Sequence, residues 1–306
     1  MSEILSFLDG WINAMPGAVA HGFVWGIMAL GVYLTYKVLD IADLTVDGSI
    51  VTGMAVCAML MTNGWNVWPA MLVATLAGMG AGLLTGTFLT VCGIPAILSG
   101  ILTQQILWSV NLKIMGQANR TLSSRTVDVL LSSMDNYHAM VVLAIFCIVL
   151  IGVLYAFFGT KYGVGLRATG CNEKMARAQG INTNAVKVVG LMLSNGIVAL
   201  AGALLAQYSG KADINDGRGG IVIGLAAVII GEAVVSRMGQ NYIIRMTGVI
   251  VGGIVYYIVY QTVIFFGIDT DLLKMLAALV VAVFLAVPYL KKTLFVKHKK
   301  EGKADA

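Results

Sequence analysis

Long apolar runs broken by short polar stretches set the pattern of this chain. Runs near the ~20 residues a helix needs to cross the hydrocarbon core of a bilayer are Gly17–Val38, Pro69–Cys92, Ile94–Ile114, Ala139–Phe158, Val188–Tyr208, Tyr242–Phe266 and Leu272–Leu290. Two further runs fall short: Ser49–Met61 is barely half a span, and Gly220–Val235 opens on glycine and contains Glu232. The pattern predicts an all-α polytopic membrane protein with about nine membrane segments, between about eight and ten, including broken or short helices. Helices interrupted at membrane depth persist only where they line a cavity or are buried in protein, so both short segments are functional suspects. Ahead of the first long run, Ile4, Leu5, Phe7, Leu8, Trp11 and Ile12 recur at helical spacing, which predicts an interfacial amphipathic helix over 1–16. Glu3 and Asp9 lie there with no cation beyond the amino terminus, unlike the start of a signal peptide. A single transmembrane domain over 17–290 and a basic tail over 291–306 complete the division.

Composition narrows the class. Of the 306 residues 58% are hydrophobic and 11% charged, with a mean hydropathy of +0.87, whereas a soluble domain carries about 25% charged residues. That excludes a soluble enzyme, a disordered tail and a disulfide-rich secreted module. Continuous apolar runs also disfavour a transmembrane barrel, whose strands alternate. The net charge of +5 reads as loop orientation rather than nucleic-acid binding. If each segment crosses once and the carboxyl tail is cytoplasmic, Lys113, Arg120, Arg125, Lys211, Arg218 and Lys274 lie outside, leaving 14 of the 20 Lys and Arg inside. The positive-inside rule favours that orientation, with the amino terminus and the loops Asn119–Asn136 and Gly210–Arg218 outside and Thr160–Lys187 as the sizeable cytoplasmic loop. Val38–Asp47 reads equally as a cytoplasmic turn or as an unwound break within the membrane.

Smaller signals follow. Cys57, Cys92 and Cys147 lie in apolar runs and Cys171 in a polar loop, without a C-x-x-C pair, so no metal site is expected. Gly78, Gly82 and Gly86 form two G-x-x-x-G steps and Gly248 and Gly252 another, a spacing that brings helix backbones together within one chain or between two copies.

The loop Lys161–Val188 is the most informative stretch. Gly163 and Gly165 allow a turn, and Glu173–Gln179 holds good helix formers between a candidate N-cap, Asn172, and a candidate stop, Gly180. So short a helix needs a surface to lie against: a cytoplasmic partner would serve, and a solvated connecting loop is the alternative. Gly163-Val-Gly165-Leu-Arg-Ala168 matches a dinucleotide fingerprint by letter but lacks the strand and βαβ context, and the chain contains no G-x-x-x-x-G-K-[ST], so no ATP site of its own is recognisable.

Gly165-Leu-Arg-Ala-Thr-Gly-Cys-Asn-Glu-Lys-Met-Ala-Arg-Ala-Gln-Gly-Ile-Asn182 resembles the cytoplasmic loop of ABC-importer permeases of the ribose and branched-chain amino-acid class, approximately L-R-A-x-G-x-N-x-x-A-A-R-x-x-G-I-N, with Met175 replacing the first small residue of the A-A pair. Leu34–Ser49, which ends in Asp43-Leu-Thr-Val-Asp-Gly-Ser49, resembles the family's first long helix running into a D-L-S-V-G-S-like break. Leu193–Gly202, Gly219-Gly220 and Gly224–Gly231 extend the likeness, which runs from about Tyr33 to Val287, while Glu232 and Val235-Ser-Arg-Met-Gly239 depart from it and mark a divergent branch. The resemblance implies a permease subunit in a bacterial cell membrane, paired with a second copy as a homodimer. Two cytoplasmic ATPase subunits would hold the ATP and Mg, and an extracytoplasmic solute-binding protein would deliver the solute. It also implies that Gly170, Asn172, Glu173, Lys174, Ala176, Arg177, Gly180, Ile181 and Asn182 form a coupling helix and its turns, Glu173, Lys174 and Arg177 making polar contacts to the ATPase.

Polar residues at membrane depth are the candidates for the solute pathway: Asp47, Gln104 and Gln105 followed by Trp108 and Asn111, then Ser194 and Asn195. Asp47 could instead be solvated, and Ser194 and Asn195 could close interhelical hydrogen bonds. Glu232 reads as an interfacial carboxylate or an ion pair with Arg237, five residues on. Trp25, Tyr33 and Trp108 suggest an aromatic or planar solute, with amino acid, nucleoside and sugar all open. Arg120, Arg125, Asp128, Asp135, Lys211, Asp213, Asp216 and Arg218 offer charges for docking a binding protein, or are ordinary solvated loop residues. An ion-coupled secondary transporter is the rival reading, for which no repeat between the halves stands out. An integral-membrane enzyme is the third, disfavoured by the lack of a catalytic constellation, His21 and His138 having no partner spacing.

Overall fold

The computed structural model describes residues 2–122, 129–235 and 241–266, together with Met275, Ala278, Leu279, Ala282, Val283 and Ala286; of 2–9 it gives the backbone alone. The run Leu272–Leu290 as a helix, the tail 291–306, and Arg125, Asp128, Arg237 and Lys274 lie outside the described residues.

Ten helices and a two-stranded ribbon account for the described chain: α1 (Ser2–Tyr33), α2 (Val46–Thr62), α3 (Val67–Thr90), α4 (Ala96–Met115), β1 (Asn119–Thr121), α5 (Asn136–Gly159), α6 (Lys161–Cys171), α7 (Glu173–Ala178), α8 (Thr183–Ser209), β2 (Lys211–Asp213), α9 (Gly220–Val235) and α10 (Tyr242–Phe265). Among the described residues five helices are long and apolar enough to cross a membrane: α1 from Gly10, continued by a π-turn to Val38, then α3, α5, α8 and α10. The helices α2 and α9 are apolar but shorter.

The centre of the bundle is α8, packed on α1, α2 and α3. Glycine makes these contacts possible: a Cβ at Gly53 would strike the Ala199 carbonyl, one at Gly202 the Ile50 carbonyl, and one at Gly82 the Leu191 carbonyl. The row Gly78, Gly82 and Gly86 therefore packs within the chain, as does Gly252, whose Cβ would strike Ala227. Without a hydrophobic force between helices in lipid, such close approach and the dispersion it brings are the main cohesion.

Two ends can be told apart. At one, β1 and β2 pair antiparallel, with Asn119 opposite Asp213, Arg120 opposite Ala212 and Thr121 opposite Lys211. Joining the two polar loops in a ribbon puts both at the same end. At the other end, α6 and α7 lie between α5 and α8.

Two expectations change, and one ion pair is added. The amphipathic start is not a separate interfacial helix: α1 runs through Pro16 without a break, and its early turns are held by α10, Trp11 Nε1 donating to Thr262 Oγ1 at 3.2 Å. The glycines Gly163 and Gly165 make no turn but lie in α6. The corner falls at Thr160, whose hydroxyl caps α6 by accepting from Gly163 N at 3.2 Å; Gly163 is needed because a Cβ there would strike the Phe157 carbonyl. Glu232 meets Lys37 at 2.9 Å, tying the end of α9 to the π-turn after α1.

Residues 39–45 form a break inside the bundle. Ile41 N donates to Thr35 O at 2.9 Å as the chain turns back, Asp40 takes a positive φ of 55°, and Leu39, Asp43 and Thr45 are all buried. The short helix α2 then starts beside Asn195, near the middle of α8, and rises to the ribbon end, where Gln207 Nε2 lies 3.8 Å from Cys57 Sγ. The other short helix starts at the same depth and points the opposite way: a Cβ at Gly220 would meet Trp25, Met28 and Asp47, and α9 ends at the Glu232–Lys37 pair.

Candidate functional site

The two short helices meet at Asp47. In the first turn of α2, its Oδ1 accepts from Ile221 N at 2.8 Å and its Oδ2 from Gly219 N at 3.0 Å. The first backbone amides of a helix have no partner within it and carry the positive end of its dipole. A carboxylate delivered from another helix satisfies both and locks the two N-termini together.

A cavity of about 490 Å³ opens beside this junction, lined by Asp47, Gly48 and Val51 of α2, Gln104, Gln105, Trp108 and Asn111 of α4, and Ile214 and Arg218 ahead of α9. The sequence candidates Asp47, Gln104, Gln105 and Trp108 thus come together. The helix α4 can approach because Gly48 has no side chain: a Cβ there would lie 2.9 Å from Leu107 Cδ1. Asn111 is wholly buried; its Nδ2 donates to Gly48 O at 3.3 Å, and its Oδ1 has no partner. Gln105, Trp108 and Arg218 are exposed.

Ser194 and Asn195 do not line this cavity. Both are fully buried: Ser194 Oγ donates to Gly31 O at 2.8 Å, while Asn195 accepts from Ser49 Oγ at 2.6 Å and donates from Nδ2 to Asp43 Oδ2 at 2.7 Å. They staple α8 to α1, to α2 and to the break. Asp43 Oδ1 takes Thr45 N at 2.9 Å, and Thr45 Oγ1 meets Thr85 Oγ1 at 2.7 Å, so the buried carboxylate is satisfied on both oxygens, as a polar group there must be. Sequence reasoning misses Asp43, because the side-chain partner that fixes it, Asn195, lies 152 residues away. Arg218, read from sequence as a docking charge, is a cavity residue.

A second cavity of about 450 Å³ lies across Arg218, lined by Trp25 and by Tyr256, Tyr257 and Tyr260 of α10. Tyr257 stacks at 6.0 Å on Trp25 and at 5.6 Å on His21. Tyr33, the third aromatic residue noted from sequence, is buried at the end of α1.

The other feature of note is α7. Asn172 Oδ1 caps it by accepting from Met175 N at 3.0 Å. Gly180 N donates to Arg177 O at 3.0 Å and Ile181 N to Ala176 O at 3.1 Å, a Schellman pattern that needs the positive φ of 82° at Gly180. Asn182 Oδ1 caps α8 through Ala185 N at 3.1 Å. Ala176 is buried, and Gly170 packs against the π-turn, where a Cβ would strike the Val38 carbonyl. Glu173 and Arg177 turn out to be engaged within the chain: Glu173 binds Lys187 at 2.7 Å and Arg177 at 3.0 Å, and Arg177 also donates to Thr183 Oγ1 at 3.0 Å. The Lys187 hydrogen bond, with the cations around it, holds the Glu173 carboxyl below the usual glutamate range. Among the described residues the Lys174 ammonium has no ion pair, and Lys174, Met175 and Ala178 are exposed on the helix.

Comparison with known proteins agrees with this architecture. Residues 16–287 match the family described as the permease component of the branched-chain amino acid transport system. The chain is 36% identical to a tyrosine transport system permease protein of Clostridioides difficile, across 92% of this chain and 94% of that one. It is 23% identical to a fructose import permease protein of Bifidobacterium longum, across 84% and 72%. Its fold is similar to that of a metal-chelate type ABC transporter seen in an inward-facing conformation, with a TM-score of 0.52 at 15% identity over 90% of this chain and 86% of the other. The apolar bundle, its two half-helices and the match over nearly the whole chain give one conclusion: the protein belongs to the branched-chain amino acid transport permease family, as the multi-pass membrane component of an ABC importer.

Proposed function

We propose that this permease works as one of two copies, a homodimer, coupled to two cytoplasmic ATPase subunits that hold the ATP and Mg and fed by an extracytoplasmic solute-binding protein. The rigid mounting of α7 carries this reading. Six residues make too short a helix to persist alone, yet α7 is capped at both ends and braced by Glu173 on Lys187. Such a helix can act as a peg: closure of the ATPases on ATP moves it, and the α6–α8 corner passes the movement to the bundle. The bundle then alternates between two states that the motor biases. Lys174, Met175 and Ala178 are the contact surface, with Glu173 and Arg177 keeping the peg stiff.

The end bearing α7 faces the cytoplasm in this reading, since the cations Lys161, Arg167, Lys174, Arg177 and Lys187 gather there. The ribbon end then receives the binding protein, and about nine segments cross or enter the membrane, the half-helices α2 and α9 among them. The solute is a small polar molecule. An amino acid, aromatic ones included, is the class favoured by the tyrosine transport system relative and by Trp108 at the cavity mouth.

Affinity purification of the tagged chain from native membranes tests the assembly. Recovery of an ATPase in about equal amount, with uptake abolished by ATP depletion, is the expected result. Repeated recovery of the chain alone, with vectorial uptake surviving full ATP depletion, would point to the ion-coupled alternative.

A further inference from the structure

We infer that Glu232 and Lys37 are positioning residues for transport: their ion pair closes a ring, made of the π-turn, the break and α9, that carries movement of the α7 peg to the Asp47 wall of the cavity. This rests on the reading of α7 as the peg driven by the ATPases. It adds the route by which the drive reaches the cavity and the two side chains that keep that route taut.

The ring has two linkages. At mid-depth Asp47 holds the start of α9, accepting from Gly219 N at 3.0 Å and from Ile221 N at 2.8 Å. At the α7 end Glu232, in the last turn of α9, meets Lys37 of the π-turn at 2.9 Å. Residues 37–47 and α9 therefore run side by side and are joined at both ends. From Ile221 to Glu232 the helix is a strut of roughly 16 Å, at about 1.5 Å per residue. It is braced on α10: a Cβ at Gly231 would strike the Gly248 carbonyl, and one at Gly252 the Ala227 carbonyl.

The peg bears directly on this ring. Gly170, just ahead of the Asn172 cap of α7, packs so closely on the π-turn that a Cβ would strike the Val38 carbonyl. Leu39 is held between α6 and α8, where a Cβ at Gly190 would meet both Leu39 and Leu166. Displacement of α7 thus presses on Val38 and Leu39, next to Lys37. The chain there can yield. The π-turn closes through Leu39 N donating to Leu34 O at 3.1 Å, and Asp40 follows with a φ of 55°. A π-turn and a left-handed residue other than glycine are places where a helix gives way, so the break alone would absorb the push. The strut prevents this by passing the shift through Lys37 and Glu232 to α9 and on to Asp47. The two side chains are 41% and 32% exposed, and an ion pair so wetted adds little to stability. Its effect is to fix a length between moving parts. It also gives a role to Glu232, at which the sequence leaves the pattern of the family.

Reactivity of a cysteine at the cavity tests the route without knowledge of the solute. The assembly of this chain with its ATPase subunits, in lipid nanodiscs, carries Gln105→Cys in a C92S/C171S background. Gln105 lines the cavity from α4, outside the ring, and is exposed. A water-soluble maleimide is applied without nucleotide and after trapping with MgATP and vanadate. With the strap intact, trapping changes the labelling rate by at least about threefold. In Glu232→Gln and in Lys37→Met the change shrinks to less than about 1.5-fold, and Lys37→Glu combined with Glu232→Lys restores at least about half of it. Melting temperatures stay within about 3 °C of wild type, and ATP hydrolysis continues in the single variants, so the drive is present and only its transmission is lost. No change on trapping in wild type, a full change in both single variants, or a charge swap as unresponsive as they are overturns the inference. A response that falls only in step with stability assigns the pair to structure and overturns it as well. Gly180→Val loosens the peg alone. A response lost there but kept in Glu232→Gln and Lys37→Met leaves the peg standing without the ring, whereas a response kept in Gly180→Val is the failure of the peg reading itself.

Discussion

Asp47 and Ile221 lie 174 residues apart in the chain, yet the carboxylate of one accepts the backbone amide of the other at 2.8 Å. That bond, with its neighbour from Gly219 at 3.0 Å, sets two half-helices end to end in the middle of the bundle. A carboxylate at a helix N-terminus supplies both a cap and a favourable charge, worth together about 1–2 kcal/mol. Asp47→Ala is therefore expected to lower the unfolding free energy of the purified protein by about that amount, and Asp47→Asn, which keeps one acceptor, by less. Thermal or denaturant unfolding in a fixed detergent measures it; equal stability of all three proteins would show that α9 does not depend on the cap.

Glycine positions divide into two groups with opposite expected outcomes. A methyl at Gly53, Gly82 or Gly202 runs into the backbone of a neighbouring helix, whereas Gly80 in α3 and Gly152 in α5 meet nothing within 4 Å. Alanine at the first three should destabilise by roughly 1–3 kcal/mol through forced separation of the helices. At Gly80 or Gly152 it should be neutral or stabilise by up to about 1 kcal/mol through helix propensity. The ranking of melting temperatures across the five variants checks this.

Gly180→Val tests the peg. The backbone there sits at a φ of +82° with open space around it, so the substitution introduces no clash but opposes the left-handed conformation, at a cost of about 1–2 kcal/mol. The turn that ends α7 should loosen. ATP-driven uptake is expected to fall by about an order of magnitude or more, more than that stability loss alone explains, while membrane insertion stays at the wild-type level. Uptake at the wild-type rate would place the coupling element elsewhere.

Acidification should loosen the same corner. The Glu173 carboxyl is held below its usual range by the Lys187 hydrogen bond, then by the charges of Lys187 and Arg177 and the bond from Thr183. A group with a lowered folded-state value stabilises fully above the unfolded value of about 4.3, and the contribution fades as the pH falls through the lower folded value. Amide protection in α7 should therefore drop between about pH 5 and pH 3 in the wild type. Glu173→Gln should start less protected and lose little more, as hydrogen exchange corrected for intrinsic rates would show.

Orientation has a direct readout. Cys171 is exposed at the end of α6, and Asn119 belongs to the ribbon at the opposite end. A membrane-impermeant maleimide should reach Cys171 in inside-out vesicles, and a Cys introduced as Asn119→Cys in a C171S background in intact spheroplasts. Reaction of both from one side would refute the opposed placement of the two ends.

What the sequence determined by itself is what depends on neighbours along the chain. Apolar runs of sufficient length located the long helices, and the caps of α7 at Asn172 and Gly180 were legible because an N-cap and a left-handed stop are chosen by local geometry. Gln104, Gln105 and Trp108 stood out as polar or amphipathic groups in an apolar run, and the structure gathers them with Asp47 around one cavity. Local signals also misled: glycine in α6 suggested a turn, yet Gly163 serves close packing against the end of α5. Only tertiary structure could decide that residues 39–45 enter the bundle, since a polar, Asp-bearing stretch reads alike in water and in a buried site where every charge is matched. The match for Asp43 is Asn195, 152 residues away, and the match for Asp47 is a helix end further still. Hydrogen-bond satisfaction between distant segments leaves no periodicity in a sequence, and that is why the depth of the break and the pairing of α2 with α9 emerge from the fold alone.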